Sequence, residues 1–203
     1  MSQIVNATKK LSSRIRQGDI FKEVEYLESY EEENGAFELS KIVFPLVVVL
    51  TQDCDLEQDY KNSDKIRNDK ESDHDKLILS LLVAPLYNSE HFFEGTHLSE
   101  ISLKMQRKTS AQKKILQNNE TPRYHYLEFD KTVVIPNSVI DFKHYFSVNI
   151  NNLNRFYKDK FVCSIPELFR ERVSQRFANY LSRIGLPDPE LEKENITCLT
   201  NTL

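Results

Sequence analysis

Glycine is scarce in this chain, with 4 in 203 residues, so Gly-rich phosphate-binding loops are not expected. Cysteine is scarce too. Cys54, Cys163 and Cys198 are too few and too far apart for a disulfide framework or a paired zinc motif. No cofactor is expected, and a reducing cytoplasm is the simplest compartment. No apolar run approaches the length needed to cross a bilayer, so no membrane partner is expected. The opening MSQIVNATKKLSSRIR lacks the apolar h-region of a secretory signal. A net charge of −4 does not mark the whole chain as a nucleic-acid binder.

What is present is unevenly spread. Residues 23–38 carry seven Glu and no Lys or Arg, whereas 104–114 carry Lys104, Arg107, Lys108, Lys113 and Lys114 and no acid. The second stripe reads as a solvated helix face or as a phosphate-binding surface. The apolar content, 39%, suits a globular protein with a real core, and the length suits one domain.

Residues 1–15 read as a loose lead-in or a short helix. Gly18-Asp19 marks a turn, and Ile20–Tyr26 alternates as a strand should. Glu31–Gly35 reads as a charged turn. Ile42–Leu50 is almost unbroken in apolarity, which predicts a strand covered on both faces. Pro45 cannot donate to a ladder and is expected at that strand's start or on an edge. From Glu57 to Asp75, 11 of 19 residues are charged, the composition of an exposed loop. Leu77–Leu86 reads as a second buried strand ending at Pro85. Residues 99–118 read as helical, and 123–130 and the segments after it as further strands, broken at Pro136-Asn137. Ser164-Ile165-Pro166-Glu167 has the form of a capping box. It introduces a helix over 165–184, with Phe169, Val173, Phe177 and Leu181 on its apolar face, closed by Gly185 and blocked by Pro187. Residues 187–203 form a tail with little apolar content. Strands that follow one another without helical crossovers predict an α+β protein that is mainly β: a curled antiparallel barrel over 16–186 with added helices and a C-terminal amphipathic helix.

Thr51-Gln52-Asp53-Cys54-Asp55, at the end of the most apolar strand, concentrates a hydroxyl, a thiol and two carboxylates. The thiol is a nucleophile only as thiolate and needs a base, for which His125 or His144 is available if the fold brings one near. The bland alternative is a free cysteine packed as a small hydrophobe. A zinc site would gather Asp53, Cys54 or Asp55 with His125 and His144, but no two of these have the short ligand spacing of a zinc finger. Arg123-Tyr124-His125-Tyr126 puts a guanidinium and an imidazole on one strand face and two tyrosines on the other. Such a set can hold a nucleotide by phosphate pairing and stacking, or simply form an aromatic cross-strand pair. Arg170 falls on the apolar face of the final helix, where a charge must be paired or reach water.

The order RQGDIF (16–21), FPLVVVLTQ (44–52), LLVAPL (81–86), NSVIDF (137–142) and a final helix resembles the MazF/PemK family of toxin-like proteins. The resemblance implies an SH3-like antiparallel barrel and, in many members, metal-independent RNA cleavage. It also implies RNA and an antitoxin as partners, and a homodimer. Pro45 matches the family's proline and Thr51 its hydroxyl residue, but the position of its catalytic arginine holds Phe44. The expected function is a cytoplasmic toxin- or defence-type protein directed at nucleic acid, an endoribonuclease in the sharpest form. Thr51, Asp53, Cys54, Asp55, His125 and His144 are the candidate catalytic groups. Lys108, Lys113, Lys114 and Arg123 are the candidate phosphate contacts. The alternative is a non-catalytic module that recognises a small molecule or protein.

Overall fold

A computed structural model describes residues 4–33, 36–68, 70 and 73–183. The strands are β1 (Ile4–Val5), β2 (Asp19–Glu33), β3 (Ala36–Val49), β4 (Ser80–Asn88), β5 (Tyr124–Phe129), β6 (Ser138–Asp141), β7 (Phe146–Asn149) and β8 (Phe161–Ser164). The helices are α1 (Asp53–Arg67), α2 (Ser89–Glu94), α3 (Ser110–Gln117), α4 (Ile150–Arg155), α5 (Tyr157–Lys160) and α6 (Glu167–Leu181). The architecture is α+β, and the strands form one curled sheet in the order β1-β5-β6-β4-β3-β2-β8, with β7 also on β4. Every pairing is antiparallel except β1 on β5.

The apolar run ending β3 is explained by the two-residue period of a strand. Val47 and Val49 enter one core, together with Leu56 of α1, Phe92 of α2, Leu116 of α3, Leu153 of α4 and Tyr157 of α5. Val48 and Leu50 enter the other, with Val173 and Phe177 of α6. Both faces are covered only there. Closer to its start β3 is open, with Val43 and Pro45 exposed. Pro45 lies where β3 has a free edge, because β4 pairs only with Val47–Val49. Opposite it Glu23 adopts φ 53° and gives its carbonyl to Lys160 Nζ at 2.6 Å. Pro85 does not end its strand. It stands where the neighbour of β4 changes from β7, paired up to Val83, to β6, paired from Leu86.

Several expectations are corrected. Residues 4–15 are not a loose lead-in: β1 pairs with β5 at one edge of the sheet, and Thr8 exchanges backbone hydrogen bonds of 2.9 Å with Ser164 at the other. The N-terminal segment therefore bridges the two edges, and Val5 and Ile15 are buried. The charged turn is shorter than expected, since strand structure runs to Glu33 and resumes at Ala36; Gly35 lies outside the described residues. The charged stretch 57–75 is mostly helix, α1, followed by a 3₁₀ turn at His74–Lys76. Composition misled here because α1 is anchored by polar side chains. Asp59 accepts from Ile78 N at 2.9 Å, Asn62 accepts from Asp73 N at 3.1 Å, and only Leu56 supplies a buried apolar side chain. Lys61 and Glu57 pair one turn apart on its outer face.

The helical reading of 99–118 holds only for a 3₁₀ turn at Ser99–Ile101 and for α3, which Thr109 and Gln112 open with a true capping box. Between them the chain crosses Gly95, whose φ is +77° and where a Cβ would lie 2.2 Å from the Met105 carbonyl oxygen. At α6 the capping box does not form. The helix starts at Glu167 without a side-chain cap, because the Ser164 hydroxyl donates instead to the buried Asp19 carboxylate. Phe169, Val173, Phe177 and Tyr180 pack on the sheet, whereas Leu181 is half exposed. Gly185, Pro187, Cys198 and the tail 187–203 lie outside the described residues. No described helix is long and apolar enough to cross a membrane.

Candidate functional site

The Thr51–Asp55 cluster sits where β3 passes into α1, and its members divide by role. The Thr51 hydroxyl accepts from Leu82 N at 2.7 Å, which locks the end of β3 to β4. Asp53 takes both guanidinium nitrogens of Arg14 at 3.0 Å and the Gln17 N–H at 3.1 Å, with Arg170 at 3.8 Å. Partial burial raises the Asp53 carboxyl, but the Arg14 hydrogen bond and charge outweigh it and hold the pKa below the usual carboxylate range. This carboxylate joins the N-terminal segment, α1 and α6. It also answers the problem posed by Arg170, which is additionally tied to the Gln17 carbonyl at 3.3 Å. Cys54 and Asp55 are exposed on the first turn of α1, and the thiol touches only its neighbours Gln52 and Asp55, each at 3.6 Å.

This arrangement carries a test. Asp53→Ala removes the carboxylate shared by Arg14, Arg170 and the Gln17 N–H, and is expected to cost about 1–3 kcal/mol. Asp55→Asn should stay within about 0.5 kcal/mol of wild type. Urea midpoints of the two variants check this; equal shifts would mean that Asp53 is not the clamp.

His125 is also remote from that cluster. It lies 3% exposed beside Phe142, and burial, with Arg176 and Arg172 nearby, pushes its pKa down to about 3. It is therefore a neutral core imidazole. The expected constellation of Cys54 with a histidine base does not assemble, nor does a zinc set. Among the described residues no three His, Cys, Asp or Glu side chains are placed to hold a metal.

The structure brings together a different group. Asp141 ends β6 almost fully buried and takes the fork of Arg123, with Nε to Oδ1 at 2.8 Å and Nη2 to Oδ2 at 2.5 Å. A 3₁₀ turn over Phe142–His144 follows, and Asp141 caps it by accepting from Lys143 N at 3.0 Å. The turn carries His144 back beside Asp141, at 3.8 Å, and onto Tyr87 of β4, whose hydroxyl lies 2.9 Å from Nδ1. The His97 ring packs tilted against Phe92 at 4.5 Å and edge-on against Tyr87 at 4.7 Å between ring centroids. Phe44 completes the floor, in ring contact with Tyr87 and Phe146.

Two adjoining cavities open on this floor and share Ile42, Phe44, Tyr87, Leu98 and Ile101. One, about 280 Å³, reaches His144, Lys143 and Tyr145; the other, about 400 Å³, reaches His91 and His97. Burial lowers the pKa of His144, and burial, with a further push from His144 whenever that ring is protonated, lowers that of His97 to about 4. Both imidazoles are thus neutral near pH 7. Burial and the Asp141 charge push the Tyr87 phenol far above its ordinary value, so it stays protonated. Lys143 flanks His144, and Lys108 stands beyond His97 with its ammonium 6.0 Å from the Phe92 ring. The cleft therefore offers an aromatic and imidazole floor with Lys143 on the wall of the smaller cavity, while Glu100 lines the larger one and Lys108 lies outside both linings. Such a surface can stack a planar heterocycle and pair with anions beside it.

Among the candidate phosphate contacts, Lys113 pairs with Glu94 at 3.2 Å, and Arg107 joins the same carboxylate at 2.8 Å. The stripe that lacks acids in sequence thus acquires one in space. Lys114 is exposed on α3, and Arg123 is committed to Asp141. Sequence reasoning missed Tyr87, Phe44 and His97 as cleft residues. No local signal marks them, because the cleft is assembled from β3, β4, the segment after α2 and the turn after β6.

No protein-family model, no curated protein and no solved structure matches the chain.

Proposed function

We propose that the protein is directed at single-stranded RNA, bound in the cleft with one base stacked on the Phe44–Tyr87–His97 floor and flanking phosphates on Lys143 and Lys108. The observation that supports this is an aromatic, imidazole-lined cavity pair with Lys143 on its wall and Lys108 near the Phe92 ring that packs on His97. Stacking on aromatic side chains with backbone pairing to cations is how single-stranded RNA is held without a groove. The resemblance to MazF/PemK-like proteins points to the same place from another direction, because Phe44 occupies the position of that family's catalytic arginine. On this reading the curled sheet, closed by the N-terminal segment and flanked by α6, is an SH3-like barrel, and the protein is a cytoplasmic one of toxin or defence type.

Binding is the primary role, since a phenyl ring stands where the cleavage chemistry would need a guanidinium. Cleavage is the second reading. It is favoured by His144, a neutral imidazole on the cavity wall: in the tautomer whose Nδ1–H donates to the Tyr87 oxygen, its Nε2 is free to serve as general base toward a 2′-hydroxyl.

The test is fluorescence anisotropy with a labelled single-stranded RNA of mixed sequence. Affinity should fall steeply with salt, and Lys143→Ala should weaken it several-fold and reduce the salt slope by about one. Lack of salt-sensitive binding at low ionic strength would overturn the proposal. Incubating the same RNA with wild type and His144→Ala decides between the two roles: strand scission lost in the variant establishes cleavage, and intact RNA leaves binding as the function.

A further inference from the structure

Beyond residue 21, β2 and β3 leave the body of the sheet as a two-stranded arm. β8 pairs with β2 only at Asp19–Phe21, and β4 with β3 only at Val47–Val49, while the two strands stay paired with each other out to Glu33 and Ala36. The register fixes which side chains share a face. Glu25 opposes Val43, Leu27 opposes Lys41, Tyr30 opposes Leu39 and Glu32 opposes Phe37. Cross-strand partners and alternate residues lie on one side of a sheet. Leu27, Tyr30, Phe37, Leu39 and Val43 therefore form a single stripe, and each is between 44% and 62% exposed. The Tyr30 and Phe37 rings stack at 5.6 Å, so the stripe is an ordered surface. Tyr26 and Ile42, on the opposite face, turn toward the cleft instead.

A two-stranded ribbon standing alone is marginal in water, and one with an apolar stripe and two open edges is a template for a partner. Charge identifies the partner's chemistry. Glu25 and Glu32 share the stripe's face, Glu28, Glu31 and Glu38 are also exposed on the arm, and Lys41 is already paired with Glu25 at 2.7 Å. A second arm laid on this one would oppose acid to acid. We propose that the arm is a docking surface for a polypeptide segment of another protein that interleaves apolar residues with lysine or arginine. Paired as a further strand along an open edge of the arm, it would set its apolar side chains beside the Leu27–Val43 stripe on one face and its cations beside Glu31 and Glu38 on the other. This surface shares only Val43 with the lining of the cleft, and the proposal does not depend on RNA binding there.

The test uses full-length protein and a labelled peptide of about twelve alternating valine and lysine residues, matched to the length of the arm's strands. Binding is expected at low ionic strength, weakening with salt. Phe37→Ser/Leu39→Ser removes apolar surface without changing charge. It should weaken binding about tenfold or more and leave the thermal midpoint in place, since both side chains are exposed. Glu31→Gln/Glu32→Gln/Glu38→Gln should weaken binding and flatten its salt dependence. Equal binding by wild type and Phe37→Ser/Leu39→Ser would overturn the proposal, as would no binding at low salt. Sedimentation as a dimer that Phe37→Ser/Leu39→Ser dissolves would overturn it too, by assigning the face to a second copy of the chain.

Discussion

Truncating Phe177 to alanine is expected to lower the free energy of unfolding by about 3–5 kcal/mol, the cost of removing a buried aromatic ring and leaving a cavity. Phe177 is 7% exposed on α6 and meets the rings of Phe142 at 5.5 Å and Tyr145 at 5.2 Å. Phe142 is itself fully buried and is among the largest such side chains in the protein, so it cannot move to fill the gap without disturbing the sheet. The comparison that isolates the effect is Leu181→Ala on the same helix. Leu181 shares the helical spacing of Phe169, Val173 and Phe177 yet is half exposed, and its truncation should cost less than about 1 kcal/mol. Chemical denaturation of the two variants checks both values. Similar shifts would mean that α6 is seated by its whole length and not by its first three turns.

Replacing Arg123 by alanine is the second large expected effect, a loss of about 2–4 kcal/mol. Breaking a buried ion pair by deleting one partner costs roughly 3–5 kcal/mol, and the figure is reduced here because the Arg123 side chain is about one-third exposed. The damage falls on Asp141, whose side chain is 2% exposed. Without the guanidinium fork its carboxylate keeps the Lys143 N–H at 3.0 Å and little else. Two consequences separate this account from a phosphate-binding role for Arg123. Asp141→Asn added to Arg123→Ala should recover much of the loss, because no bare charge then remains buried. Arg123→Lys should be intermediate, since an ammonium cannot form the two parallel bonds of the fork. A stable Arg123→Ala protein with weakened RNA binding would instead place Arg123 among the nucleic-acid contacts. The outcome also bears on the cleft, because Asp141 starts the turn that carries His144 to Tyr87.

The same chain shows why composition is a weak guide to a charged segment. Residues 57–75 look unable to bury anything, yet most of them form a helix. Its inward face needs only Leu56 and two polar side chains, Asp59 and Asn62, that bond to backbone groups of the following segment. The hydrophobic term there is small, and hydrogen bonds to otherwise unpaired N–H groups take over. A capping-box pattern was similarly ambiguous. Ser164 has the right spacing to Glu167, but a buried carboxylate from β2, Asp19, competes for its hydroxyl and wins.

Local order along the chain determined the strands and the helix whose periods are two and 3.6 residues. The double-faced apolarity of Val47–Leu50 announces a covered strand, and Val173 and Phe177 announce a helix with one buried face, because solvent exclusion acts on neighbours a fixed number of residues apart. The surplus of charge at 23–38 was legible in the same way. What only the tertiary structure decided is which distant groups meet. Arg14 finds Asp53 across 39 residues, Arg123 finds Asp141 across 18, and Tyr87 finds His144 across 57. These encounters convert Asp53 from a candidate catalytic group into a clamp, and make a cleft from Phe44, Tyr87, His97 and His144. No periodicity encodes them. They follow from the curl of the sheet and from the need of each buried charge and polar group for a partner, wherever in the chain that partner lies.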